Sequence, residues 1–208
     1  MEQPVEGGYH WQSPGHVADW LARLPELEPE RAAAFTAIVG LLPFGPEEAF
    51  SFLDLGAGAG ALSAAILSRY SRAGATLADF SQPMMDAGKK ALEPFGERYQ
   101  YVVFDMNAQP WPEELSGPFQ AVVSSQAIHH LPNARKAWLF EQVYEHLTPG
   151  GVFVNWDPLR HEERQVHDPH DRTLASIEEA RDMLQAAGFR DLAVAQQAGD
   201  SAVISGRK

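Results

Sequence analysis

The sequence predicts an α/β protein: a doubly wound, mostly parallel sheet of seven strands, with extra helices at the amino end. Three observations carry this. From about residue 50 onward, short apolar runs alternate with segments of helical period. The runs are apolar on both faces, as strands covered by helices on both sides must be. The first run leads straight into a glycine turn, Gly56-Ala57-Gly58-Ala59-Gly60, followed by a helix.

The region 1–45 carries two expected helices, Val17–Leu24 and Glu30–Leu42, with Pro25, Pro29 and Pro43 as punctuation. Ala49–Leu55 is the first strand. Ala61–Tyr70 is a helix, because Leu62, Ala65, Ile66 and Leu67 recur at helical spacing. Ala75–Asp79 is the second strand. Ser81 opens a helix over Met84–Leu92, with Pro83 in a first turn that tolerates its missing N–H. Tyr99–Phe104 and Phe119–Ser124 are the third and fourth strands. Asn133 caps a helix to His146, and Thr148-Pro149-Gly150-Gly151 turns the chain into the fifth strand, Val152–Asp157. Ser176 and Glu179 form a capping box, and Gly188 ends that helix after Ala187. Leu192–Gln197 and Ala202–Gly206 are the last strands.

Right-handed crossovers line the carboxyl ends of parallel strands along one edge, where ligands bind. The expected organisation is a helical lid over residues 1–45 and a ligand-binding domain over residues 46–208. Residues 158–175 are polar, with little periodicity, and read as a loop above that edge.

Composition narrows the function. The chain has 208 residues, 45% of them apolar and none of them cysteine, which excludes disulfides, thiolate metal sites and cysteine nucleophiles. A formal charge of −12 opposes binding to phosphate backbones, so no nucleic-acid partner is expected. The densest basic runs, Lys89-Lys90 and Arg135-Lys136, read as solvated helix faces. The acidic first residues lack the apolar run of a signal peptide, and no stretch is long and apolar enough to cross a bilayer. The chain therefore reads as cytoplasmic, with no membrane partner.

The glycine turn gives the ligand chemistry. Glycine permits a tight turn and close approach of backbone to a ligand, and the next helix offers its amino end. Gly56, Gly58 and Ala61 also satisfy the dinucleotide spacing, which keeps a nicotinamide-dependent oxidoreductase in view. Acids sharpen the picture. Asp54 precedes the turn, and Asp79 ends the second strand about 20 residues on, the offset of a carboxylate that binds a ribose diol. Asp105 ends the third strand beside Phe104 and Met106, where a carboxylate can accept from an adenine amino group.

This order of motifs resembles the class I S-adenosylmethionine-dependent methyltransferases, in particular their small-molecule branch. The matching pieces are Leu53-Asp54-Leu55-Gly56-Ala57-Gly58-Ala59-Gly60, Ala78-Asp79-Phe80-Ser81-Gln82-Pro83-Met84 and Phe104-Asp105-Met106. Ser125-Gln126-Ala127-Ile128-His129-His130-Leu131-Pro132 and Leu147-Thr148-Pro149-Gly150-Gly151 continue the series. The resemblance implies a Rossmann-like methyltransferase fold whose sheet ends with an antiparallel last strand, a part that suits Ala202–Gly206, and the cofactor S-adenosylmethionine, with S-adenosylhomocysteine as product. It implies that Gly56, Gly58 and Gly60 face the methionine part and that Asp54 helps hold its amino group. Asp79 would take the ribose hydroxyls, Phe80 and Met84 would flank the adenosine, and Asp105 and Met106 would contact the adenine. Ser125 and Gln126 would lie near the sulfonium.

Methyl transfer is an in-line displacement, so the protein must chiefly hold the nucleophile close and aligned. A base is needed only where the nucleophile carries a proton, and His130, then His129, are the candidates. Tyr9, His10, Trp11 and His16 are candidates to close over the cofactor. His161, His167, Asp168, His170 and Asp171 follow no metal-ligand spacing, and no metal is expected. Two other readings stay open: the NAD(P)-dependent oxidoreductase, which lacks a Tyr-x-x-x-Lys pair here, and a non-catalytic cofactor-binding module of the same fold. The acceptor, the attacking atom and the oligomeric state are not specified by the sequence.

Overall fold

A computed structural model describes residues 9–160 and 173–208. The strands are β1 (Phe50–Leu55), β2 (Ala73–Asp79), β3 (Tyr99–Val103), β4 (Phe119–Ser125), β5 (Leu147–Pro158), β6 (Arg190–Ala198) and β7 (Ser201–Arg207). The helices are α1 (Pro14–Leu41), α2 (Ala61–Arg69), α3 (Gln82–Leu92), α4 (Asn133–His146) and α5 (Ile177–Ala186). All seven strands join one sheet in the order β3-β2-β1-β4-β5-β7-β6. β1 to β5 pair in parallel, while β7 is antiparallel to both β5 and β6. The expected doubly wound α/β sheet with an antiparallel last strand is therefore the fold observed.

Each strand feeds two cores because successive side chains point to opposite faces. On β1, Phe52 joins one apolar cluster with Ile38, Leu62, Ile66 and Leu77. Its neighbour Leu53 joins the other, with Val122, Leu139, Val143 and Phe153. α1, α2 and α3 contribute to the first cluster, α4 and α5 to the second. The strand order reverses between β1 and β4, which opens a crevice at their carboxyl ends.

The amino-terminal helices differ from expectation. Pro25 and Pro29 do not separate two helices; both lie inside the continuous α1. Each proline removes one intrahelical bond and crowds the carbonyl four residues back, at about 3 kcal/mol. Both are exposed. Ala34, Ile38 and Leu42 are buried in the first core, and this packing holds the later half of the helix to the sheet. A second difference is at β5, which starts at Leu147. The pairing jumps from Phe119↔Leu147 to Ala121↔Val152, so Thr148–Gly151 bulges out within the strand.

Candidate active site

The glycine turn lies between the carboxyl ends of β1 and β2. The amides of Gly56 and Ala57 both donate to the Ala78 carbonyl, at 2.8 and 3.1 Å. Gly56 has φ +67°, and a Cβ there would lie 2.2 Å from the Ala127 Cβ, so only glycine fits. Gly58 has φ +54° and its Cβ would meet Met84 Cε at 2.9 Å. Gly60 stands at the amino end of α2. Met84, on α3, is therefore packed against the turn.

Two carboxylates sit beneath the turn, and their roles separate. Asp79 is buried; its Oδ2 accepts from the Gly58 amide and its Oδ1 from the Ser81 amide, both at 2.7 Å. Burial raises its pKa, and these amide bonds oppose the rise. Asp79 thus ties the glycine turn to the start of α3, and each oxygen keeps a lone pair that a hydroxyl can use. Asp54, 1% exposed, accepts from Ser63 Oγ at 2.7 Å through Oδ2, while its buried Oδ1 has no hydrogen-bond partner. Desolvation pushes its pKa up to about 7. An orphaned acceptor below a turn that a Cβ would fill fits a ligand bearing a cationic amine close to the backbone.

The turn after β4 packs against this one. Gln126 has φ +55°, an uncommon state for a side-chain-bearing residue, and its amide donates to the Trp156 carbonyl at 2.8 Å. Asp157, buried at the end of β5, fixes the residues after Gln126. Its Oδ1 lies 3.0 Å from the Ala127 amide and 2.7 Å from His129 Nδ1, and its Oδ2 accepts from Asn155 Nδ2 at 2.9 Å. His129 is consequently held inward, 6% exposed. His130 is half-buried; its ring lies 4.1 Å from that of His129 and 6.4 Å from that of Trp11. Ser125 and Gln126 are half-buried at the same edge.

The loop after β3 completes the crevice. Asp105 is exposed and accepts from the Asn107 amide at 2.8 Å, while Met106 Cε lies 3.4 Å from a Cβ placed on Gly56. The glycine turn, Asp54, Asp79, Met84, Met106 and the Ser125–His130 turn thus share one edge. Phe80, half-buried, comes directly after Asp79.

Several contributors escape sequence reasoning. Arg135 and Lys136 do not form a solvated face: Arg135 Nε donates to the Met106 carbonyl at 2.7 Å, and Lys136 is 3% exposed. Lys136 donates to Asn133 Oδ1 at 3.2 Å and to the Thr173 carbonyl, and desolvation lowers its pKa to about 8. With His129, Asn155 and Asp157 it lines a cavity of about 30 Å³. A doublet of basic residues gives no sequence signal for burial, since the carbonyls of Met106, Ala108 and Thr173 that receive the two side chains are remote in sequence. Tyr101 is a further case: its hydroxyl donates to the Gly58 carbonyl at 3.0 Å.

The amino-terminal segment reaches this edge. The 3-10 helix Tyr9–Gln12 docks where Gln12 Nε2 donates to the Phe80 carbonyl at 2.6 Å and Ser81 Oγ to the Trp11 carbonyl. Trp11 stands edge-on to His16 at 5.0 Å and to Trp20 at 5.5 Å. Trp111 and Trp156 instead pack into the protein, Trp111 donating to the Leu115 carbonyl at 2.7 Å. His161, His167, Asp168, His170 and Asp171 lie outside the described residues. Among the described residues no group of His, Asp or Glu is placed to hold a metal, and no helix is long and apolar enough to cross a membrane.

Residues 52–151 match the sequence family described as a methyltransferase domain. Over that stretch the chain is similar to methyltransferase domains. Solved structures share its fold. Human N-acetylserotonin methyltransferase, solved with S-adenosylmethionine, superposes with a TM-score of 0.72 at 22% identity, over 99% of this chain and 60% of its own. PigF, solved with S-adenosylhomocysteine, gives 0.71 at 22% identity, over 95% of this chain and 60% of its own. A chain of the complex between the Haloferax volcanii Trm112 methyltransferase activator and a methyltransferase gives 0.72 at 19% identity, over 93% and 96%. This chain thus spans about 60% of the length of the first two. None of these three likenesses favours the nicotinamide reading of the glycine run.

Proposed function

We propose that the protein transfers a methyl group from S-adenosylmethionine to a small-molecule acceptor at the edge between β1 and β4. The observation that carries the reading is the direct packing of the turn bearing His130 on the glycine turn, Ala127 against Gly56. It supports a role for this turn, whose Ala127 lies three residues before His130, at the backbone that the cofactor would approach. The names of the solved relatives support the cofactor, and the acidic surface supports a small, non-polyanionic acceptor.

S-adenosylmethionine supplies, when bound, a methyl group already activated by a sulfonium. The chain's own residues do the rest. Asp54 Oδ1 is suited to the amino group, Asp79 to the ribose hydroxyls, and Phe80 and Met84 to the adenosine faces. Asp105 and Met106 suit the adenine, while Ser125 and Gln126 suit the sulfonium end. His130 takes the acceptor's proton on a ring nitrogen; His129, bonded to Asp157, holds it in place. The Tyr9–Gln12 segment and the first turns of α1 act as a lid over residues 80–81, excluding water from the displacement.

The test is turnover. Protein incubated with methyl-labelled S-adenosylmethionine and a panel of phenols, amines and thiols should label at least one acceptor, and His130→Ala should slow the protonated acceptors about 10²-fold. Labelling of tRNA or protein alone would overturn the small-molecule assignment. An unchanged rate in the variant would overturn the histidine's role.

A further inference from the structure

The loop that carries the proposed adenine contacts is held by one side chain from the opposite layer. Arg135, in the first turn of α4, donates from Nε to the Met106 carbonyl at 2.7 Å and from its second terminal nitrogen to the Ala108 carbonyl. The Met106 carbonyl and the Asn107 amide belong to one peptide plane. That amide donates to Asp105 Oδ1 at 2.8 Å, and the Ala108 amide donates to the Asp105 carbonyl at 2.8 Å. The plane is thus gripped from both sides, by the guanidinium at its oxygen and by the Asp105 carboxylate at its nitrogen. The guanidinium itself is fixed, lying 3.6 Å from the centroid of the Trp138 ring. Desolvation lowers the Arg135 pKa and the nearby Asp105 charge opposes this.

We infer that Arg135 is a positioning residue for adenine recognition: through the Met106–Asn107 peptide it aims the Asp105 carboxylate at the base. The inference rests on the cofactor reading above. The planar fork meets two carbonyls two residues apart through separate nitrogens while its face lies on Trp138; a lysine ammonium has its three donors on one nitrogen and no plane to stack, so it would not hold the peptide in the same orientation. α4 also begins directly after the Ile128–His130 turn, so the same helix registers the adenine end of the site against the transfer end.

The test compares two ligands in two proteins by calorimetry. The ligands are S-adenosylhomocysteine and its deaminated form, in which hypoxanthine replaces adenine and presents an oxygen where Asp105 expects an amino group. Wild type should prefer the adenine form. In Arg135→Lys the affinity for the adenine form should fall about tenfold, equivalent to 1.4 kcal/mol, while the deaminated form changes little, so the preference narrows. In turnover, KM for S-adenosylmethionine should rise while kcat at saturation is kept, and Trp138→Leu should move the ratio in the same direction. Equal weakening of both ligands in Arg135→Lys would overturn the inference, as would an unchanged preference. Wild type that binds neither ligand would overturn the cofactor reading itself, a result distinct from a preference that fails to narrow.

Discussion

Replacing Asp54 by asparagine removes a charge that the fold buries without completing its hydrogen bonds. The carboxyl is 1% exposed, has one donor in Ser63 and one oxygen with none, and its pKa is pushed from an ordinary value near 3.8 up to about 7. At 1.36 kcal/mol per pH unit that displacement corresponds to roughly 4 kcal/mol against the ionised form. Asparagine keeps an oxygen for Ser63 but brings an amide N–H₂ that must find acceptors, which offsets about half of the gain. We expect Asp54→Asn to be more stable than wild type by about 2 kcal/mol at pH 8, with Tm higher by roughly 4–8 °C. The sign of the pH dependence comes from the raised pKa. Between about pH 4 and pH 7 the native carboxyl holds a proton that the unfolded chain has lost, so wild-type stability falls as pH rises through that window. The variant lacks that slope, and its advantage should shrink as pH drops. Thermal melts of both proteins across that range are the assay. A variant less stable than wild type at pH 8, or a difference that does not vary with pH, would refute the reasoning. If Asp54 holds the cofactor's ammonium as proposed, the same variant should bind S-adenosylmethionine more weakly, because it carries no charge there.

Gly56→Ala should lower stability by about 2–4 kcal/mol, because the new methyl would lie 2.2 Å from Ala127 at φ +67°; chemical denaturation reads it. Gln126→Gly removes a left-handed strain at φ +55° and should raise stability by up to about 1 kcal/mol while slowing transfer, since the turn before His130 loosens. Paired melts and turnover assays separate the two effects. Asp157→Ala leaves the Ala127 amide, His129 Nδ1 and Asn155 Nδ2 without their acceptor and should cost about 3 kcal/mol, measured by urea titration.

The alternation of apolar runs made the sheet legible, because strands covered on both faces cannot hide polar residues. The antiparallel direction of β7 was legible only through the family resemblance, which ends the sheet with such a strand. The glycine turn and its acids were equally open to reading, for they are local in the chain. The continuity of α1 was not: Pro25 and Pro29 argue locally for breaks, and what overrides them is burial of Ala34 and Ile38 against strands far along the sequence. The same limit hid the separate roles of Asp54 and Asp79, which depend on which oxygens meet which amides. It also hid Arg135, Lys136 and Tyr101, whose partners are backbone carbonyls remote in sequence. Asp157 looked like an ordinary strand-end residue, yet it holds the histidine turn.

The cofactor is the point on which the rest depends, and calorimetric titration with S-adenosylmethionine, with NAD in parallel and Asp54→Asn as the control, addresses it. Binding of the sulfonium in the micromolar range, weakened in the variant and absent for NAD, is the predicted result. Preference for NAD, or no binding of S-adenosylmethionine to wild-type protein, would contradict it.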